Sequence, residues 1–103
     1  MGKVTNKVII TELKKLKKKY NIERMLLFGS RARGDELITS DVDVIAISKQ
    51  FLNTPFKKRP NKLLDAWKLP IDLELLCYSP EEIERKKKEI GIISAALKYA
   101  KAI

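Results

Sequence analysis

The chain has no histidine, one cysteine and one tryptophan among its 103 residues, and each scarcity closes off some chemistry. Without histidine there is no Ser-His-Asp relay, no imidazole general base and no His-ligated metal. The lone Cys77 allows neither an intrachain disulfide nor a thiolate zinc site. Acidic side chains are then the strong metal ligands that remain, and their hard oxygens suit Mg²⁺ or Mn²⁺. Long apolar runs are missing as well. The stretches 25–28 and 44–47 are far too short to cross a bilayer. The first residues hold no apolar signal core, and Asn6 breaks the pattern for myristoylation, so the expectation is a cytoplasmic protein away from membranes.

What is present describes a soluble globular chain, 45% apolar and 34% charged, read as a single domain over residues 1–103. A chain this short closes one core, and any elaborate pocket must be shallow or completed by another chain. A homodimer or a heteromer is therefore expected. The net charge of +9, from 22 basic against 13 acidic residues, suits a polyanion such as nucleic acid, a nucleoside triphosphate or an acidic partner protein. It equally suits the Lys- and Glu-rich helical surface of a heat-adapted protein. Charge alone does not establish nucleic-acid binding, and the aromatics that stack bases are not interleaved among the lysines.

Val4, Val8, Ile9, Leu13, Leu16 and Tyr20 recur at helical spacing, with lysines between them, which predicts an amphipathic helix over about residues 3–20. Asn21 punctuates the chain, and residues 22–28 read as a short buried strand. Gly29 and Ser30 follow, opening a brief helix that Gly34 can close. Residues 41–47 form a second strand, apolar except at Asp41 and Asp43. Strands apolar on both faces call for helices on both faces, hence an α/β (α+β) fold with a small mixed sheet of three or four strands. Pro55 and Pro60 leave residues 48–69 undecided, apart from a helix between Pro60 and Lys68. Residues 71–78 form a third strand. Ser79-Pro80-Glu81-Glu82 starts a last helix with a capping box, running toward Ile103 with a bend at Gly91.

Three pieces are candidates for chemistry, and taken singly Gly29-Ser30 also reads as a turn, Asp41 as a turn cap and Asp43 as a solvated strand edge. Gly29-Ser30 sits between a strand and a helix, where glycine admits a phosphate close to the backbone and free N–H groups favour an anion. Asp41 and Asp43 stand two apart on a strand and project to one side. Adjacent carboxylates repel each other, and two divalent cations about 4 Å apart would relieve that and activate an in-line phosphoryl displacement. Asp72 and Glu74 repeat the spacing on the next strand. Asp72 is the choice for the third carboxylate, to deprotonate an attacking hydroxyl or hold the ion that does so. Glu74 reads by default as a surface residue paired with a lysine. Leu73, Leu75 and Cys77 share the opposite, core face. Trp67 reads as packing, with stacking on a nucleobase as the other reading.

Together these make G-S-x10-D-x-D followed by a carboxylate on the next strand, a match that arises by chance on the order of one time in a thousand in so short a chain. The pattern resembles the nucleotidyltransferase superfamily that includes DNA polymerase beta and kanamycin nucleotidyltransferase, and looks most like the minimal nucleotidyltransferases (MNT). The resemblance covers about residues 21–90. It extends to Arg31-Ala32-Arg33-Gly34, to Ser40 before Asp41, and from Ile71-Asp72-Leu73 into Tyr78-Ser79-Pro80-Glu81-Glu82. It implies a nucleotidyltransferase fold in which Gly29, Ser30, Arg31, Arg33 and Ser40 bind ATP or another triphosphate. Asp41, Asp43 and Asp72 would be the catalytic carboxylates and hold two Mg²⁺ (or Mn²⁺) ions. The other reading of Arg31 and Arg33 is a salt bridge to Asp35 or Glu36. Glu74 departs from the family, where an apolar residue is commoner. The implied activity is transfer of AMP from ATP to an acceptor hydroxyl. The implied setting is the antitoxin of a HEPN/MNT-type pair whose partner is a small helical HEPN protein. Two other readings remain: a non-catalytic partner-binding module, and a basic nucleic-acid-binding protein.

Overall fold

A computed structural model describes residues 5–29, 41–89, 91 and 97–103. Helix α1 spans Asn6–Lys19. Thr5 caps it by accepting the Val8 N–H at 3.3 Å, and Lys17, Lys18 and Lys19 lie at its carboxyl end, where the helix dipole favours cations. It stops where Asn21 takes a left-handed φ of 53°. The Asn21 and Ile22 N–H groups then turn back to the carbonyls of Lys18 and Lys17, satisfying groups the helix leaves unpaired. Ile9, Leu13 and Leu16 are buried, as the helical period required.

The sheet has four strands in the order β3-β2-β1-β4. Strand β1 (Arg24–Phe28) runs antiparallel to β2 (Val42–Ile47), and β2 runs parallel to β3 (Leu73–Tyr78). The first three strands start later than the sequence pattern suggested, so Asp41 and Asp72 stand just ahead of β2 and β3. Between β2 and β3 come two short 3₁₀ turns, Lys49–Asn53 and Phe56–Lys58, and then helix α2 (Asn61–Ala66), inside the interval expected for it.

Helix α3 (Pro80–Lys88) begins as the sequence announced. Ser79 accepts the Glu82 N–H, Glu82 accepts the Ser79 N–H, and Pro80 occupies the first helical position. Its far end corrects the expectation of a helix running to Ile103. The helix ends before Glu89, and the chain finishes as β4 (Lys101–Ala102), paired antiparallel with β1. The Ile103 N–H bonds to the Met25 carbonyl at 2.9 Å, so the chain end covers an edge of β1 that would otherwise present unpaired groups. The Gly91 bend adjoins residues 90 and 92–96, outside the described residues.

Strand alternation divides the core in two. On one face Met25, Leu27, Val42, Val44, Ala46, Leu75 and Cys77 pack with Ile9, Leu13 and Leu16 of α1 and Leu63 of α2. On the other, Leu26, Ile45, Ile47 and Tyr78 pack with Ile83 of α3. Helices thus cover both faces, as strands apolar on both sides require. Among the described residues no helix is long and apolar enough to cross a membrane.

One polar cluster locks the carboxyl end of β3, and sequence reading did not find it. Arg59 is 9% exposed. It meets Glu82 with both terminal nitrogens, at 2.6 and 3.2 Å, and also donates to the carbonyls of Cys77 (3.1 Å) and Thr54 (2.9 Å). The Arg59 hydrogen bond, then the Ser79 N–H, hold the Glu82 carboxyl down at about 2. A carboxyl depressed in the fold stabilises above its unfolded value, and that contribution is lost as pH falls through about 2. Replacing Arg59→Ala strands a partly buried carboxylate. The expected cost is roughly 3 kcal/mol in urea unfolding at neutral pH. The deficit should shrink as the pH is lowered toward 2 and Glu82 is neutralised in both proteins.

Candidate active site

Strand β1 ends at Phe28, whose partner on β2 is Asp43. Gly29 follows with a φ of +77°. A Cβ built there would stand 2.6 Å from Asp43 Oδ2 and 3.4 Å from its carboxyl carbon. The position therefore requires glycine twice, for its left-handed backbone and for the carboxylate lying against it. Ser30, Arg31, Arg33 and Ser40, the other expected phosphate contacts, lie outside the described residues, as does the brief helix from Ser30 to Gly34.

The parallel pairing sets the rest. Asp43 is level with Glu74 and Val42 with Leu73. The Val42 N–H donates to the Asp72 carbonyl at 2.9 Å, so the ladder extends back and puts Asp41 level with Asp72. Residues two apart on a strand share a face, which sends all four carboxylates to the side of Ile45, Ile47 and Tyr78. Asp41, Asp72 and Glu74 are exposed and Asp43 is half-buried. Partial burial pushes the Asp43 carboxyl up to about 6. Its hydrogen bond with Glu74 and the charges of Glu74 and Asp41 add to the rise.

Glu74 is exposed, in line with its default reading as a surface group, but the register puts it beside Asp43, with which it shares a hydrogen bond. A signal was present: Asp-x-Asp and Asp-x-Glu have one spacing, and parallel strands in matching register bring such pairs together. Cys77 is buried, as expected, and burial pushes its thiol up to about 12, so it supplies no thiolate at neutral pH. Trp67 caps the end of α2, packs against the core and donates its indole N–H to the Ile71 carbonyl at 2.7 Å. Its structural reading is accounted for, yet part of the ring remains open. Asp41, Asp72 and Glu74 join Leu64, Trp67 and Ile71 around a cavity of about 550 Å³ at the head of β3.

Residues 8–103 match the family model of the nucleotidyltransferase domain. The chain belongs to this family. Among solved structures it is similar to a proposed nucleotidyltransferase from Sulfolobus solfataricus. The two share 25% identity and a TM-score of 0.58 over 77% of this chain and 70% of that one. No curated protein matches the chain in sequence. The four-stranded sheet between helices is a nucleotidyltransferase fold, and its function class is nucleotidyl transfer with a nucleotide as substrate.

Nucleotidyltransferases generally use divalent metals, and the donor chemistry fits one. The four carboxylates offer only hard oxygen ligands, and the crowded Asp43 is relieved by a cation. Among the described residues no three acidic groups converge on one point as they stand. A cage would require the exposed carboxylates to turn toward Asp43, a rotation that surface side chains make in nanoseconds or less.

Two expectations follow. Gly29→Ala should cost about 1–2 kcal/mol in urea unfolding from backbone strain alone, with a further loss because Asp43 must move. The Asp43 carboxyl binds its proton more tightly folded than unfolded, so in chelator the stability it contributes falls as pH rises from about 4 through about 6. Asp43→Asn should therefore raise the thermal midpoint of the metal-free protein at neutral pH. The gain should fade at pH ~4, below the raised value.

Proposed function

We propose that this nucleotidyltransferase moves a nucleoside monophosphate, AMP from ATP, onto a hydroxyl group. The observation that supports this most is the packing of Gly29 on Asp43, level with Glu74 and beside Asp41 and Asp72. A phosphate-admitting turn and a row of carboxylates then meet at one end of the sheet. In this reading Gly29, with Ser30, Arg31, Arg33 and Ser40 of the adjoining segment, holds the triphosphate. Asp41 and Asp43 hold two Mg²⁺ ions (or Mn²⁺), with Asp72 as the third carboxylate. Bound there, the ions would polarise the phosphate and neutralise developing charge.

The acceptor oxygen forms a bond to the α-phosphorus while the bond to the bridging oxygen breaks. Pyrophosphate leaves with the electron pair, and Asp72 takes the acceptor's proton. The chain's own share is to orient the triphosphate and to group the carboxylates at one end of the sheet. Positioning and electrostatics supply most of the acceleration in such a reaction. The resemblance to minimal nucleotidyltransferases supports a setting in the cytoplasm as the antitoxin of a HEPN/MNT-type pair. A small helical HEPN protein would then be partner and acceptor. The wide opening beside the carboxylates is in keeping with a heteromer or homodimer completing the site.

The test is labelling of a co-expressed helical partner by purified protein, ATP labelled at the α-phosphate and Mg²⁺. Joint Asp41→Asn and Asp43→Asn substitution should cut labelling roughly a hundredfold or more, and a chelator should do the same. Undiminished labelling in the double variant would remove the mechanism. Tight partner binding without ATP binding or labelling would leave a non-catalytic module.

A further inference from the structure

A second cavity, of about 490 Å³, opens at the other end of β3, where Phe56, Tyr78, Glu82, Arg85, Lys86 and Glu89 meet. Tyr78 and Glu74 share a face of β3, and at about 3.3 Å per residue they stand roughly 13 Å apart. The cavity is therefore distinct from the carboxylates. One wall is aromatic. The Phe56 ring is 44% exposed and lies tilted against Tyr78, with ring centres 5.3 Å apart. Tyr78 is only 8% exposed, yet its hydroxyl has no hydrogen-bond partner among the described residues. No enclosed polar atom goes unsatisfied there, so that oxygen must reach the cavity it lines. Burial pushes the Tyr78 phenol up, which keeps it protonated and able to donate at neutral pH.

The charges around it are mostly spoken for. Both terminal nitrogens of Arg59 engage Glu82, and Lys86 Nζ meets Glu89 at 3.5 Å. Arg85 is exposed and has no acidic partner among the described residues. One uncommitted cation and one uncommitted hydroxyl donor thus line a cavity with an aromatic wall. We propose that this cavity binds a small aromatic oxyanion, a ring bearing one carboxylate or phosphate group, at a site separate from the catalytic one. The ring packs on Phe56, and the oxyanion accepts the Tyr78 O–H and the two-pronged Arg85 guanidinium. The backbone below is already fixed. The Tyr78 carbonyl accepts the Ser48 N–H at 3.0 Å, and Arg59 donates to the Cys77 carbonyl at 3.1 Å. Binding then costs little ordering of the main chain. Neither metal ions nor the triphosphate take part.

The test is titration calorimetry on the full chain in chelator with phenyl phosphate and phenylacetate. Inorganic phosphate, acetate and benzyl alcohol probe the two halves of the site separately. At least one aromatic anion should bind at one site per chain, about tenfold or more tighter than its bare head group. The tighter of the two identifies the head group. Arg85→Ala, a surface change, should weaken that binding about tenfold or more. Tyr78→Phe keeps the ring and removes only the donor, for a loss of about fivefold. Joint Asp41→Asn and Asp43→Asn substitution should leave this binding unchanged. Failure of both aromatic anions to bind would overturn the proposal. So would bare phosphate or acetate binding as tightly, or undiminished binding in Arg85→Ala or Tyr78→Phe. Loss of binding in the double aspartate variant would put the anion at the carboxylates instead, and the proposal would fall.

Discussion

Like charges are held together at the head of β2, and much of the architecture is arranged around that repulsion. Asp43 has the backbone of Gly29 against its carboxylate and Glu74 level with it across the parallel pair. Neither neighbour can withdraw. Val42, Val44 and Ala46 are buried under α1, while Ile45 and Ile47 are buried against the α3 layer. Sliding either strand by one residue would exchange its side chains between the α1 and α3 faces, mismatching both apolar layers and turning its carboxylates to the opposite side. The apolar faces therefore keep the acidic groups where they disfavour one another. Sites that hold cations are commonly built this way, with the protein keeping the charge close and the ligand relieving it.

The two ends of the sheet divide the labour. At the starts of β2 and β3, exposed carboxylates leave the backbone register as the main constraint. At their far ends Arg59 ties together the 3₁₀ segment, the last residues of β3 and the capping box of α3 through four hydrogen bonds. The polar network that costs most to disturb is thus set at the end away from the carboxylates. The acidic end keeps Asp41, Asp72 and Glu74 exposed. An enzyme that positions rather than reacts covalently needs a rigid sheet with adjustable groups at one edge.

Much of the fold was legible because short-range physics governs it. The α1 stripe follows from its period, and the start of α3 from Ser79, Pro80 and Glu82, which satisfy one another within a single turn. The exposed pair Asp41 and Asp72, together with the half-buried Asp43, could be singled out from spacing alone. The carboxyl end of the chain was misread for the opposite reason. Whether residues 101–103 continue a helix or pair as a strand depends on a free edge at β1, more than seventy residues earlier in sequence. Arg59 was invisible in the same way, since its carboxylate partner and two of its carbonyl contacts come from separate elements.

The sequence by itself determined the chemical inventory: no imidazole, one thiol, a Gly-Ser pair, and two Asp-x-acid pairs. It also determined the local elements, because helix period, caps and strand alternation are settled among near neighbours. Only the tertiary structure decided which acid stands beside which. Strand register is a long-range property, set by the packing of two apolar faces, and it put Glu74 level with Asp43 and Asp72 level with Asp41. It likewise opened a cavity on one flank of the carboxylates and set Gly29 on the other.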